Sequence, residues 1–317
     1  MKIYTKNEIE KALDIPFLMQ EIEVGIRLAN KEKALIAPIS FMHFDSPKGD
    51  VHIKSAAFLD GEMYVVKIAS SFYQNPLLGL PSSNGSMLLF SQKTGELITI
   101  LLDEGLLTNL RTGLAGAIAA KYLAPSPITT IGIIGTGTQA KEQLFHLQDI
   151  TPCRNALVWG RDPLKAKKFA SDPCLKAFSI TVCENIEEIT QNCNLIVTTT
   201  PSSKPLLFGH QLRPGTHVTA IGADDLGKQE LDETVFDCAD LIIVDSLSQC
   251  SGYGDLSHAK NVDLNSVIEL GKWVQEPQER QAHWITVADL TGLAIEDLQI
   301  AKAIYTKLKS LSETDTT

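Results

Sequence analysis

The hydrophobic rhythm of the chain changes several times along its length. Over residues 7–29, Ile9, Leu13, Phe17 and Met19–Val24 recur at helical spacing with Glu and Lys between them. This predicts an amphipathic helix. Pro16 predicts a break or a second start inside it, because proline lacks an N–H and clashes with the preceding turn. From 33 to 103 the runs shorten: "KALIAPIS", "DVHIKSAAF", "EMYVVKIAS", "GSMLLFS" and "GELITILLD". Turn signals stand at Pro47–Gly49, Asp60-Gly61, Asn84-Gly85 and Lys93–Gly95. The first hundred residues therefore read as a mainly antiparallel sheet behind a helix, with a hairpin at Asp60-Gly61.

At Leu106 the rhythm becomes helical and rich in small residues, "LLTNLRTGLAGAIAAKYLA", ending at "PSP". The small side chains predict close approach to other backbone. From 128 onward strands (128–134, 155–160, 178–182, 194–200, 217–222, 240–245) alternate with helices near 138–149, 163–171, 185–191 and 229–238. Alternation of this kind predicts a parallel, doubly wound sheet. "TTIGII", "NLIVTTT" and "DLIIVDS" are nearly all apolar or β-branched, as buried parallel strands require. After about 290 the pattern is helical again, and the tail "SETDTT" is expected to be disordered.

Composition narrows the function classes. The 317 residues suit about two domains. A net charge of −10 without a basic stripe argues against nucleic acid as a partner. No run reaches the roughly 18 apolar residues of a membrane span, and "MKIYTKNEIE" lacks the apolar core of a secretory signal. The six cysteines include no C-x-x-C pair, so no metal site is expected. Reduced thiols and a cytoplasmic location follow as expectations.

Candidate chemistry begins at "IGIIGTGTQA", 131–140. Gly135, Gly137 and Ala140 give G-x-G-x-x-A between a strand and a helix. Gly135 suits the tight turn, Gly137 the approach of backbone to a pyrophosphate, and Ala140 close helix–strand packing. A dinucleotide cofactor is expected here, against the plainer reading of a glycine turn. At the end of the second strand, "ALVWGRDP" puts Gly160 about where an acid would hold the ribose of NAD. Arg161, with Lys165, suits a 2′-phosphate, which favours NADP over NAD. The competing readings make Arg161 a solvated loop residue and Asp162 a helix cap before Pro163, or turn Asp162 inward to serve NAD.

Several stretches together make the chain resemble the ornithine cyclodeaminase/μ-crystallin family, which includes an archaeal-type alanine dehydrogenase and imine reductases. They are "VVKIAS" (65–70), "LLTNLRTGLAGAIAAKYLAP" (106–125), "IGIIGTGTQA" (131–140), "IVTTTPS" (196–202), "GTHVTAIGADDLGKQELD" (215–232), "DS" (245–246) and "DLTGLAIEDL" (289–298). The resemblance implies an α/β fold: a Rossmann-type doubly wound domain over 123–289, plus an N-terminal α+β substrate and dimerisation domain, 1–122 with 290–317. The site would lie in the cleft between them, and the protein would be a homodimer. A first-domain sheet too small to cover both its faces points to a dimer as well. The matching stretches put Thr112, Thr136, Thr138, Gln139, Thr199, Thr200, Gly222, Ala223, Thr291 and Gly292 beside Gly135, Gly137 and Arg161 as candidate NAD(P) contacts.

Three residues are candidates for substrate chemistry. Lys67 alternates with Val65 and Ala69, so it faces inward, and a buried lysine needs a partner or a role. Arg111, in the first turns of the small-residue helix, carries a guanidinium suited to bidentate grip of a carboxylate. The family uses the matching lysine and arginine on the substrate carboxylate. Asp224 follows the strand "HVTAIG", where α/β folds place ligands, and matches the family's acid/base aspartate. Read without the family, Lys67 is an edge lysine, Arg111 a helix-surface arginine, and Asp224 with Asp225 turn formers.

One departure stands out. Many relatives carry an arginine where this chain has "IAPIS", with Ser40 near that position; no arginine occurs between Arg27 and Arg111. Lys54, beside His52 in "HIK", is a candidate for the missing cation, with His43 a further candidate. The alternative is a solvated strand lysine. The expected activity is an NAD(P)-dependent oxidoreductase for a small amino acid or its imine. The alternatives are a cyclodeaminase with recycled NAD, or a non-catalytic NADPH- and ligand-binding protein like the crystallins.

Overall fold

The computed structural model describes residues 1–29 and 33–314. The chain divides into two compact units, Met1–Arg111 with Leu293–Thr317, and Thr112–Gly292.

The first unit is a seven-stranded sheet. Its strands are β1 (Lys2–Thr5), β2 (Ala34–Ile36), β3 (Ser40–Asp45), β4 (Lys48–Phe58), β5 (Met63–Phe72), β6 (Ser83–Ser91) and β7 (Leu97–Leu102). The order is β1-β7-β6-β5-β4-β2, with β3 also on β4. All pairs are antiparallel except β1 with β7. Asp60-Gly61 turns β4 into β5 as expected. Asn84-Gly85 is not a turn but lies within β6, opposite Ser70 and Ala69. The glycine serves close approach there: an added Cβ would sit 2.8 Å from the carbonyl oxygen of Ile68. Pro16 falls in the first turn of helix Ile15–Leu28, capped by Asp14, which accepts from the Phe17 N–H at 3.3 Å. The predicted N-terminal helix is thus two, Lys6–Lys11 and Ile15–Leu28.

Period-two alternation sorts the faces of this sheet. Val65, Lys67, Met87, Leu89, Thr99 and Leu101 are buried on one face, where helix Ala294–Thr314 packs over β4, β5 and β6 and against Ile15–Leu28. On the other face Tyr64, Val66, Leu88, Phe90 and Ile100 are half-buried and Ile68 and Leu102 exposed. Helix continues to Thr314, so the first half of the tail expected to be disordered is helical; residues 315–317 lie outside the described residues.

The second unit carries β8 (Ile131–Ile134), β9 (Asn155–Trp159), β10 (Ser179–Val182), β11 (Leu195–Thr198), β12 (Ser203–Leu207), β13 (His217–Ala220), β14 (Gln229–Leu231), β15 (Leu241–Val244), β16 (Ile268–Glu269) and β17 (Thr286–Asp289). Eight of them form a parallel sheet ordered β10-β9-β8-β11-β13-β17-β15-β16; β12 and β14 pair separately. This is a Rossmann-type sheet, and its winding reverses between β8 and β11. The carboxyl ends of those two strands flank the crevice where such sheets take ligands.

The helix expected over 229–238 is instead strand Gln229–Leu231 followed by helix Glu233–Asp237. The Glu230 and Leu231 N–H groups donate to Asp255 at 2.7 and 2.8 Å, which removes them from any helix, and Asp232 caps the shorter one. The small residues of Leu106–Leu123 act as expected. A Cβ at Gly113 would lie 2.9 Å from Glu142 and His146, and one at Gly116 would collide with Gln143, so this helix lies close against Thr138–Leu147. Among the described residues no helix is long and apolar enough to cross a membrane.

Candidate active site

In the second unit a cavity of about 290 Å³ opens where β8, β9 and β11 end. Of the expected cofactor residues it gathers Gly135, Thr136, Gly137, Arg161, Thr199 and Thr200, with Asp162 and Lys165. Gly135 has φ +129°, and a Cβ there would collide with the Thr199 hydroxyl. Its N–H donates to the Trp159 carbonyl at 2.9 Å. Gly137 caps helix Thr138–Leu147, and a Cβ on it would meet nothing within 4 Å. The helix start is therefore uncrowded at Gly137, which suits close approach of a pyrophosphate. Thr138 and Gln139 form the first turn of that helix, and Ala140 is fully buried behind it.

Gly160 has a steric reason. A Cβ there would lie 2.5 Å from the Thr136 methyl carbon, so a side chain at this position would have to displace Thr136. Asp162 does not turn inward. Its carboxylate caps helix Pro163–Ala170, accepting from Leu164 N–H at 2.9 Å and Lys165 N–H at 3.4 Å. Arg161 and Lys165 are exposed on the cavity wall.

Thr112, Gly222, Ala223, Thr291 and Gly292 do not line this cavity. The Thr112 carbonyl accepts from Gln143 at 2.8 Å. The Gly222 N–H donates to Glu230 at 2.7 Å, and Ala223 is buried. The Thr291 hydroxyl donates to Asp245 at 3.1 Å, as does the Gly292 N–H. Asp224 follows β13 with its side chain partly exposed, and Lys228 Nζ lies 2.5 Å from its Oδ1.

In the first unit the expected cations meet two acids that the sequence reading passed over. Lys67 Nζ stands 2.9 Å from Asp297 Oδ2, and Arg111 Nε 3.0 Å from Asp297 Oδ1. Arg111 Nη1 donates to Glu296 Oε2 at 3.0 Å. All four side chains are buried. Lys54 is also buried, not a solvated strand lysine, and is in direct register with Lys67 across β4 and β5. Burial pushes the Lys67 ammonium down to about 7; Asp297 opposes this, while Arg111 and Lys54 add to it. Burial raises the Asp297 carboxyl, but Lys67, Arg111 and Lys54 outweigh it and hold the group below its ordinary value. Ser40 and His43 are exposed on β3, with the His43 ring stacked 6.2 Å from Phe41.

Lys54 and Lys67 project from one sheet face, and Arg111, Glu296 and Asp297 from two helices join Lys67 there, all buried. Such a group suits a carboxylate ligand, since the cations are preorganised and dry. Glu296 and Asp297 escaped notice because two acids in a helix's first turn read as complements to its dipole.

The profile of the ornithine cyclodeaminase/mu-crystallin family matches residues 1–312. The chain belongs to this family. It is 36% identical to an alanine dehydrogenase of Archaeoglobus fulgidus, over 96% of this chain and 94% of that one. A solved archaeal alanine dehydrogenase dimer with bound NAD superposes with TM-score 0.88 at 34% identity, covering 98% of this chain and 96% of that one. The Δ1-pyrroline-2-carboxylate reductase of Thermococcus litoralis, solved with NADH and L-proline, gives TM-score 0.91 at 28% identity and 98% coverage of both chains.

Asp297→Asn leaves two buried cations short of their counter-charge. It is expected to destabilise the protein by about 3–5 kcal/mol. Thermal and urea unfolding of the variant check this, and a loss below about 0.5 kcal/mol would contradict the clamp.

Proposed function

We propose that this protein is an NAD(P)-dependent oxidoreductase acting on a small amino acid or its imine. The observation that carries the reading is the buried grip of Lys67 and Arg111 on Asp297. It sets Lys67, on the face built of Val65, Met87 and Leu89, and Arg111, from the following helix, as two buried cations around one carboxylate. Lys67 and Arg111 bind the substrate carboxylate and so orient the α-carbon. Lys54, in register with Lys67, supplies the third cation in place of the arginine missing near Ser40. Asp224 takes or gives the proton at the substrate nitrogen, steadied by Lys228. When bound, the nicotinamide supplies or accepts the hydride. Alanine dehydrogenase and Δ1-pyrroline-2-carboxylate reductase relatives support this substrate class.

The cofactor is held at Gly135, Thr136, Gly137, Thr138, Gln139, Thr199 and Thr200, with Thr112, Gly222, Ala223, Thr291 and Gly292 completing its contacts. NADP is favoured over NAD. Gly160 offers no ribose-binding acid, Asp162 is committed to its helix cap, and Arg161 and Lys165 are exposed on the cavity wall for a 2′-phosphate. The protein works in the cytoplasm, consistent with its unbridged cysteines.

The half-exposed apolar face of the first unit's sheet, with Tyr64, Val66, Ile68 and Phe90, supports a homodimer through that face. The archaeal relative was solved as a dimer. Light scattering is expected to give twice the chain mass; a monomer at micromolar concentration would contradict it.

Turnover is tested by following nicotinamide absorbance with cyclic imines, with α-keto acids plus ammonia, and with a diamino acid such as ornithine, ammonia release being assayed in the last. Net oxidation of NADPH is expected; ammonia release with no net absorbance change would point to cyclodeamination instead. In the same assay Arg161→Ala is expected to raise KM for NADPH about tenfold and leave NADH nearly unchanged. Lys54→Ala is expected to raise KM for the acid substrate by about tenfold; an unchanged value would remove Lys54 from the site.

A further inference from the structure

Glu230 is a fully buried carboxylate in a segment otherwise read as part of a family motif. Its Oε1 accepts from the Thr200 N–H, and its Oε2 accepts from the Gly222 N–H and the Thr198 hydroxyl, both at 2.7 Å. Thr198 ends β11, and Thr200 lies two residues on, in the wall of the cavity at Gly135 and Thr199. Gly222 follows β13 and leads directly into Asp224. One side chain therefore clips together the exits of two adjacent parallel strands. The β11 exit is one wall of the crevice between β8 and β11, where the winding reverses and such sheets take ligands.

The clip is itself braced. The Glu230 and Leu231 N–H groups donate to Asp255 Oδ1, and the Leu256 N–H donates to Asp289 Oδ2 at 2.8 Å. Gly222 has to be glycine for the same reason, since a Cβ there would lie 2.5 Å from Glu230 Oε2. Resting on the cofactor reading above, we propose that Glu230 is a positioning residue for the dinucleotide. It sets the spacing of the Thr200 and Gly222 backbone and of the strand exit that carries Asp224.

Burial and the neighbouring Asp255 carboxylate push the Glu230 pKa up to about 8. A neutral carboxyl keeps all three contacts: Oε2 gives its proton to Thr198 Oγ1 and still accepts from Gly222, while Oε1 accepts from Thr200. A carboxamide cannot. In either flip its NH2 faces one of the two backbone N–H groups, leaving opposed donors in a dry site. Glu230→Gln thus changes almost no volume and selectively breaks the clip.

The test is fluorescence titration of NADPH and NADH into wild type, Glu230→Gln and Thr198→Val, alongside thermal unfolding and amide hydrogen exchange. Glu230→Gln is expected to stay folded, to weaken dinucleotide binding at least about tenfold, and to speed exchange at Thr200 and Gly222. Thr198→Val, which removes one contact, is expected to weaken binding about threefold. Unchanged affinity in a folded Glu230→Gln protein would overturn the role of Glu230. Should that variant not fold, Thr198→Val decides: weakened binding supports the role and unchanged binding overturns it. Wild type that binds neither dinucleotide would instead overturn the cofactor reading itself.

Discussion

The first unit is organised around one buried carboxylate. Asp297 receives Lys67 from a central strand and Arg111 from the helix that follows the sheet, each about 3 Å away. None of these charges is tolerable alone in a dry interior, so each element is held where the others need it. The last helix of the chain supplies Asp297, and its packing over β4, β5 and β6 is therefore more than apolar coverage. Lys54 and Glu296, both buried, enlarge this group of charges. Burial, with Arg111 and Lys54 nearby, brings the Lys67 pKa down to about 7 against the pull of Asp297.

The second unit solves a different problem with the same chemistry. A parallel sheet delivers strand ends and loops to one edge, and those loops need fixing without closing the crevice. Buried carboxylates do it by accepting backbone N–H groups. Glu230 takes Thr200 and Gly222, Asp245 takes Gly292, Asp255 takes Glu230 and Leu231, and Asp289 takes Leu256. Burial raises the pKa of Asp255 to about 6 and that of Asp289 well above its ordinary value. The loops are thereby rigid while their outward surfaces stay available to a ligand.

Much of this was legible in the sequence because it obeys periodicity. Lys67 is buried as its alternation with Val65 and Ala69 required, and the strands from β8 to β15 in the main sheet lie where apolar β-branched runs predicted them. Gly135 and Gly137 adopt the turn and open helix start their spacing implied. What escaped was of two kinds. Short strands such as β1, β14 and β17 are set by pairing partners far along the chain, which local pattern does not carry. Asn84-Gly85 misled for a related reason, since its glycine answers to a neighbouring strand rather than to a turn. The bracing carboxylates also escaped. Glu230, Asp255, Glu296 and Asp297 sit at positions where acids usually face water, and only the fold reveals that they do not.

The central claim is that the cluster around Asp297 is built to receive a carboxylate. Calorimetric titration of the cofactor-loaded protein with pyrrole-2-carboxylate, a planar stand-in for a cyclic imino acid, tests it most directly when paired with the corresponding carboxamide. Equal size and ring chemistry leave the charge as the only variable. The account predicts measurable binding of the acid and at least about a hundredfold weaker binding of the amide, since two buried cations would lose a charged partner. Equal affinity for acid and amide would contradict it.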